Sequence, residues 1–126
     1  MAARPLAVVL ASADLERLYT GLSLLVSAAA DGRGAAGLAT FGALAPLLDP
    51  QLSATALQPE ASPGLTELGR RTFARSLEEL RDLAREHVHA CAAAVETTGL
   101  DPSSLAGVMS TPRFLAAHAD AELVVV

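Results

Sequence analysis

The chain holds one cysteine, no tryptophan and no lysine among its 126 residues. A single cysteine cannot close an intrachain disulfide. That excludes a disulfide-stapled secreted scaffold and makes the reducing cytoplasm the expected compartment. Aromatic residues are scarce at 3%. All nine basic residues are arginines, outnumbered by fourteen acidic ones, for a net charge of −5. No basic run and no basic patch interleaved with aromatics occurs, so neither nucleic acid nor an anionic membrane is an expected partner. Charged residues make up only 18% of the chain, below the usual level. So little charged surface predicts that part of it is covered by further copies, in a homo-oligomer. No apolar stretch reaches membrane-spanning length. Met1-Ala2-Ala3-Arg4-Pro5, an apolar stretch and then Ala11-Ser12-Ala13 loosely imitate a signal peptide. The apolar core, Leu6 to Leu10, is too short for one, and cleavage there would delete a good strand.

What is present is apolar: 52% of the residues are hydrophobic, ample for the core of one domain spanning 1–126. Leu6-Ala7-Val8-Val9-Leu10 is a continuous apolar run, the pattern of a strand buried on both faces of a parallel sheet. Ser12 and Asp14 follow as turn and N-cap candidates. Leu15, Leu18, Tyr19, Leu22, Leu25, Val26 and Ala29 then recur at helical spacing, and Gly32 is placed to stop that helix. Gly37 to Phe41 reads as a second strand, which makes a β-α-β unit and predicts a right-handed crossover to a parallel neighbour. A short helix is expected over 43–48. Residues 50–64 carry three of the seven prolines and read as a loop. Leu65 to Phe73 is expected to be helical. Ser76-Leu77-Glu78-Glu79 has the pattern of a capping box opening a second helix, with Leu77, Leu80, Leu83 and Ala84 on one face. A strand over 86–90 runs into Cys91 and a helix closed by Gly99. Asp101-Pro102 and Thr111-Pro112 each predict a short helix with an N-cap before proline. Val108-Met109 between them is a candidate for a very short strand, and Leu123 to Val126 for the last one. The sum is an α/β domain: an open, mostly parallel sheet of about four or five strands with helices on both faces.

Gly32-Arg33-Gly34-Ala35-Ala36-Gly37 matches the spacing of a dinucleotide-binding loop. It follows a helix and opens a strand, the reverse of what pyrophosphate binding requires, so it reads as a turn. His87, His89 and Cys91 alternate and are expected on one strand face. The outer two would lie about 13 Å apart along the strand, too far for one ion, and no metal site is expected. His89 is placed to stabilise a neighbouring thiolate when protonated, or to relay a proton. Cys91 itself stands at a strand-to-helix junction. There it is expected to face unpaired N–H groups and the positive end of a helix dipole, which favour a thiolate. Ligand sites of open α/β sheets form at the carboxyl ends of strands. Ser12, Asp14, Phe41 and Gly42 lie at two other such ends. With His89 and Ala92 they make the candidate pocket around the candidate catalytic Cys91.

Read in order, these segments resemble the DsrE/DsrF-like family of small sulfur-relay proteins. Val8-Val9-Leu10 through Ala28-Ala29-Ala30 resembles the family's opening unit, and Thr40-Phe41-Gly42 its aromatic and glycine segment. Leu77 to Gly99-Leu100, with the helix, short strand, cysteine and helix, matches best. Leu105-Ala106-Gly107-Val108 and Leu123 to Val126 are similar to the family's ending. The resemblance implies a flavodoxin-like layered α/β fold, homotrimers, homohexamers or heteromeric assemblies, and no bound cofactor. It also implies that Cys91 accepts sulfane sulfur as a persulfide from a donor protein or thiol and passes it to an acceptor. Where the family often carries polar and methionine residues after the cysteine, this chain has Ala92-Ala93-Ala94-Val95. The alternatives are an oligomeric binding or scaffold protein with an inert cysteine, and a thiol peroxidase-like protein needing an external resolving thiol.

Overall fold

The structure is a computed structural model and describes residues 3–126. Met1 and Ala2, the start of the stretch that imitates a signal peptide, lie outside the described residues. The sheet has five strands, β1 (Leu6–Leu10), β2 (Ala35–Ala39), β3 (Val88–Cys91), β4 (Gly107–Met109) and β5 (Glu122–Val125). They run in the order β4-β3-β2-β1-β5, and all four pairings are parallel. β1 is thus an inner strand, which is why its sequence is apolar without alternation.

Helix α1 (Leu15–Ala30) connects β1 to β2. Asp14 caps it, accepting the Arg17 N–H, and Leu15, Leu18, Leu22, Leu25 and Ala28 form its buried stripe. The helix lies tightly on the sheet because two glycines let it. A Cβ on Gly21 would collide with Leu10 Cδ2, and one on Gly37 would stand 2.9 Å from Leu25 Cδ1 and 3.1 Å from Val88 Cγ2. Gly37, the last glycine of the Gly-x-Gly-x-x-Gly run, therefore serves helix-on-strand packing. Gly32 ends the helix at φ +78°.

The crossover from β2 to β3 departs most from the sequence-based expectation. β2 ends at Ala39, two residues early, and Phe41 and Gly42 already belong to α2 (Phe41–Leu48). The predicted loop 50–64 contains α3 (Leu52–Ala56) and a 3-10 turn (Pro59–Ala61), with Leu52, Ala56 and Ser62 fully buried. Its prolines punctuate short helices rather than open a loop. The two helices expected over 65–84 are one, α4 (Glu67–Ala84), capped by Thr66. Neither glycine nor proline separates Phe73 from Leu77, and the buried positions Ala74, Leu77, Arg81 and Ala84 continue one stripe through Ser76. A capping residue needs extended backbone, which this uninterrupted stripe does not allow. Leu83 consequently faces solvent, 61% exposed.

Residues 85–87 form a 3-10 turn, so β3 starts at Val88. Helix α5 (Ala92–Thr98) ends at Gly99 in the left-handed conformation. No helix follows Asp101-Pro102; Asp101 instead accepts the Ser103 N–H in a tight turn. Helix α6 (Thr111–Ala117) is capped by Ser110 rather than Thr111. Because β1 to β4 step across the sheet in one direction, right-handed crossovers put α1, α4 and α5 on one face. The return from β4 to β5 puts α6 on the other. Among the described residues no helix is long and apolar enough to cross a membrane.

Candidate functional site

Because side chains alternate along a strand, β3 sends Val88 and Ala90 toward α1 and α4, and His89 and Cys91 toward α6. Register agrees: His89 lies beside Leu38 and Gly107, and Cys91 beside Met109. His87 belongs to the preceding turn, where its Nε2 is 3.4 Å from Glu86, so the expected three-residue alternation holds only for the last two. Among the described residues no three His, Cys, Asp or Glu side chains stand together as a metal-binding group.

Cys91 is the N-cap residue of α5, but its side chain caps nothing. Strand pleat turns Sγ away from α5 and toward the first turn of α6, where Thr111 Oγ1 is 3.9 Å away. The thiol is therefore beside a different helix from the one adjoining it in sequence. It is free and 4% exposed. Two residues earlier, His89 keeps Nδ1 buried with no hydrogen-bond partner. Burial, and then the neighbouring His118, push the His89 pKa down. That favours the neutral imidazole and works against the role of a charged partner for a thiolate. His118 packs against Phe114 with the rings tilted by 55° and their centroids 4.7 Å apart.

The other residues expected around the cysteine do lie at the carboxyl edge of the sheet, where β1, β2 and β3 end side by side. They fall into two groups. Ser12 Oγ accepts the Asp14 N–H at 3.0 Å, and Asp14 accepts the Arg17 N–H at 3.0 Å, a folded corner after β1. Gly42 packs directly on that corner; a Cβ there would be 3.0 Å from Ala13 N. Phe41 is 53% exposed. Asp14 opens onto a cleft between the start of α1 and the end of α2 whose lining does not include Cys91. Ala92, half-buried, begins α5. Cys91 and His89 face α6, so the expected single pocket is divided.

Thr111, beside Cys91, and His118, which acts on His89, were not picked out as site residues from the sequence. Thr111-Pro112 signals a helix start, but nothing in the sequence says that this helix returns across the face carrying Cys91. Arg81 was also hidden, on the buried stripe of α4. It is 3% exposed and donates to the carbonyls of Leu47 at 3.2 Å and Asp49 at 2.7 Å, tying α4 to the end of α2. No family model and no curated protein matches the chain.

Proposed function

We propose that the protein is a sulfur carrier in which Cys91 holds a persulfide. The observation that carries the reading is the position of Cys91. It is the last residue of an inner parallel strand, at the edge where open α/β sheets bind ligands, sheltered by a helix that buries only Phe114. The resemblance of Leu77 to Leu100 to the DsrE/DsrF-like sulfur-relay proteins supports the same role. The Cys91 thiolate attacks the terminal sulfur of a donor persulfide, R–S–SH. A bond forms between Sγ and that sulfur, the donor S–S bond breaks, and R–S⁻ leaves with the electron pair. Cys91 is left as Cys–S–SH. An acceptor thiolate repeats the step on the Cys91 persulfide. Neither step needs an external oxidant or reductant, because one S–S bond replaces another. The Thr111 hydroxyl is the polar group beside the sulfur. Donor and acceptor are proteins or small thiols of a reducing compartment, the cytoplasm, and no cofactor takes part.

A homo-oligomer, a trimer or hexamer, belongs to the same proposal. Leu115, Leu123 and Val125, 48%, 50% and 65% exposed, are the apolar surface such an assembly would cover. A monomer in sedimentation at micromolar concentration would overturn that part.

The low exposure of Cys91 favours one second reading, an oligomeric binding or scaffold protein whose cysteine is packing material. Intact mass after incubation with a persulfide donor separates the two. The carrier gains one sulfur atom, reversible by dithiothreitol and absent from Cys91→Ser. Wild type that gains no sulfur from a donor able to load a control thiol supports the scaffold.

A further inference from the structure

The carboxyl edge has an opening on the side away from Cys91. A cleft of about 670 Å³ lies between the start of α1, the end of α2, the 3-10 turn and the residue after Gly99. That volume is in the range of small-molecule sites, and its place beyond the ends of parallel strands is where such sites form. Its walls are mostly apolar, with Pro46, Leu48 and Leu100 among them. The ionisable side chains in the lining are all carboxylates: Asp14, Asp49 and Glu60.

Two of the three are already engaged by neutral donors. Asp14 caps α1, and Asp49 accepts the Gln51 N–H at 2.8 Å and the Thr55 hydroxyl at 3.0 Å. These bonds orient the carboxylates without neutralising them. Glu60 is exposed and has no ion-pair partner among the described residues. The Arg81 guanidinium lies behind the end of α2, pairs with Asp82 at 3.0 Å and is outside the lining. The cleft therefore combines an apolar wall with negative charge that nothing in its lining balances. The carboxylates do not converge as a metal-binding group, so a single divalent ion does not fit them.

We infer that this cleft binds a small amphiphilic cation, an apolar body carrying a protonated amine. The body covers the Pro46 and Leu48 wall and the ammonium lies beside Glu60, the carboxylate without a partner among the described residues, in the negative field of the cleft. The site is independent of the cysteine chemistry.

The test uses three probes of equal chain length, n-octylammonium, n-octanol and octanoate, below their aggregation concentrations. Amide shifts of the ¹⁵N-labelled protein are followed. Octylammonium is expected to shift the amides of Leu15, Asp49 and Leu100 and to bind about tenfold more tightly than octanol, the effect of a few partly exposed charge pairs. Octanoate binds least. Salt at roughly 0.5 M removes the preference between octylammonium and octanol by screening. Ala45→Trp, at an exposed position of the lining, blocks all three probes. Glu60→Gln lowers only the affinity for octylammonium, and Cys91→Ser changes nothing. Equal binding of the three probes, no shifts at the cleft, or shifts confined to α6 would each overturn the inference.

Discussion

One face of the sheet is covered by α1 and α4, sixteen and eighteen residues long. Leu22, Leu25 and Leu77 of these helices are completely buried. The other face is crossed by α6, seven residues long, in which Phe114 alone is buried. The thick face holds most of the apolar core and, at its carboxyl edge, the acidic cleft. The thin face holds the thiol. The difference follows from strand order. Three successive crossovers in one direction pile their helices on one side, and a single return leaves the other side lightly clad. Stability is concentrated where burial is deep, and local opening occurs where it is shallow. A residue buried under α6 is therefore expected to be reachable without unfolding the domain, and one buried under α1 only by unfolding it.

The largest difference is expected between a buried leucine of the thick face and a half-exposed one of the thin face. Leu25→Ala on the thick face should lower unfolding free energy by about 2–5 kcal/mol, and Leu123→Ala on the thin face by well under about 1 kcal/mol. Urea denaturation measures both; equal losses would mean that Leu123 is as well covered as Leu25. A smaller effect of opposite sign is expected in the β2-to-β3 crossover. Ser62 is fully buried and its Oγ has no hydrogen-bond partner. Ser62→Ala should raise stability by about 1 kcal/mol, because it removes an unpaired hydroxyl from the interior. Destabilisation would show that the hydroxyl has a partner.

The smallest effect is a pH dependence of the thin face. The pKa of His89 is lowered from 6.5 in the folded protein, by burial first and His118 second. The unfolded chain then binds the proton more readily than the folded one. The contribution of His89 is present above about 6.5, is lost as pH falls below it, and levels off below the folded pKa. Denaturation at several pH values should show a shallower acid loss in His89→Gln than in wild type. An identical or steeper loss would exclude His89 as the source.

Much of this architecture was legible in the sequence. The unbroken apolar run Leu6 to Leu10 announced a parallel inner strand, and the i, i+3, i+4 spacing after Asp14 announced α1, cap included. Gly32 and Gly99 marked helix ends by their freedom to take positive φ. Local signals failed where they compete with packing. The Ser76 capping pattern lost to a continuous buried stripe, and the prolines of 50–64 sit among short helices whose burial depends on α4. The candidate site was half legible. Cys91 lies at a carboxyl strand end as expected, but the thiol's neighbour is Thr111, twenty residues on, because pleat and strand order decide which helix a side chain meets. Asp49 and Glu60 of the cleft carry no pattern in sequence and become neighbours of Asp14 only through the fold of the crossover.

The most direct test of the account is the alkylation rate of Cys91 in native protein as urea is raised toward, but not into, the unfolding transition. Opening of α6 alone exposes little surface, so the rate should stay nearly constant with urea and exceed the rate that global unfolding permits. A rate that rises with urea along the global unfolding free energy would mean that Cys91 is reached only by unfolding the domain. That result would contradict the proposed role as a sulfur carrier.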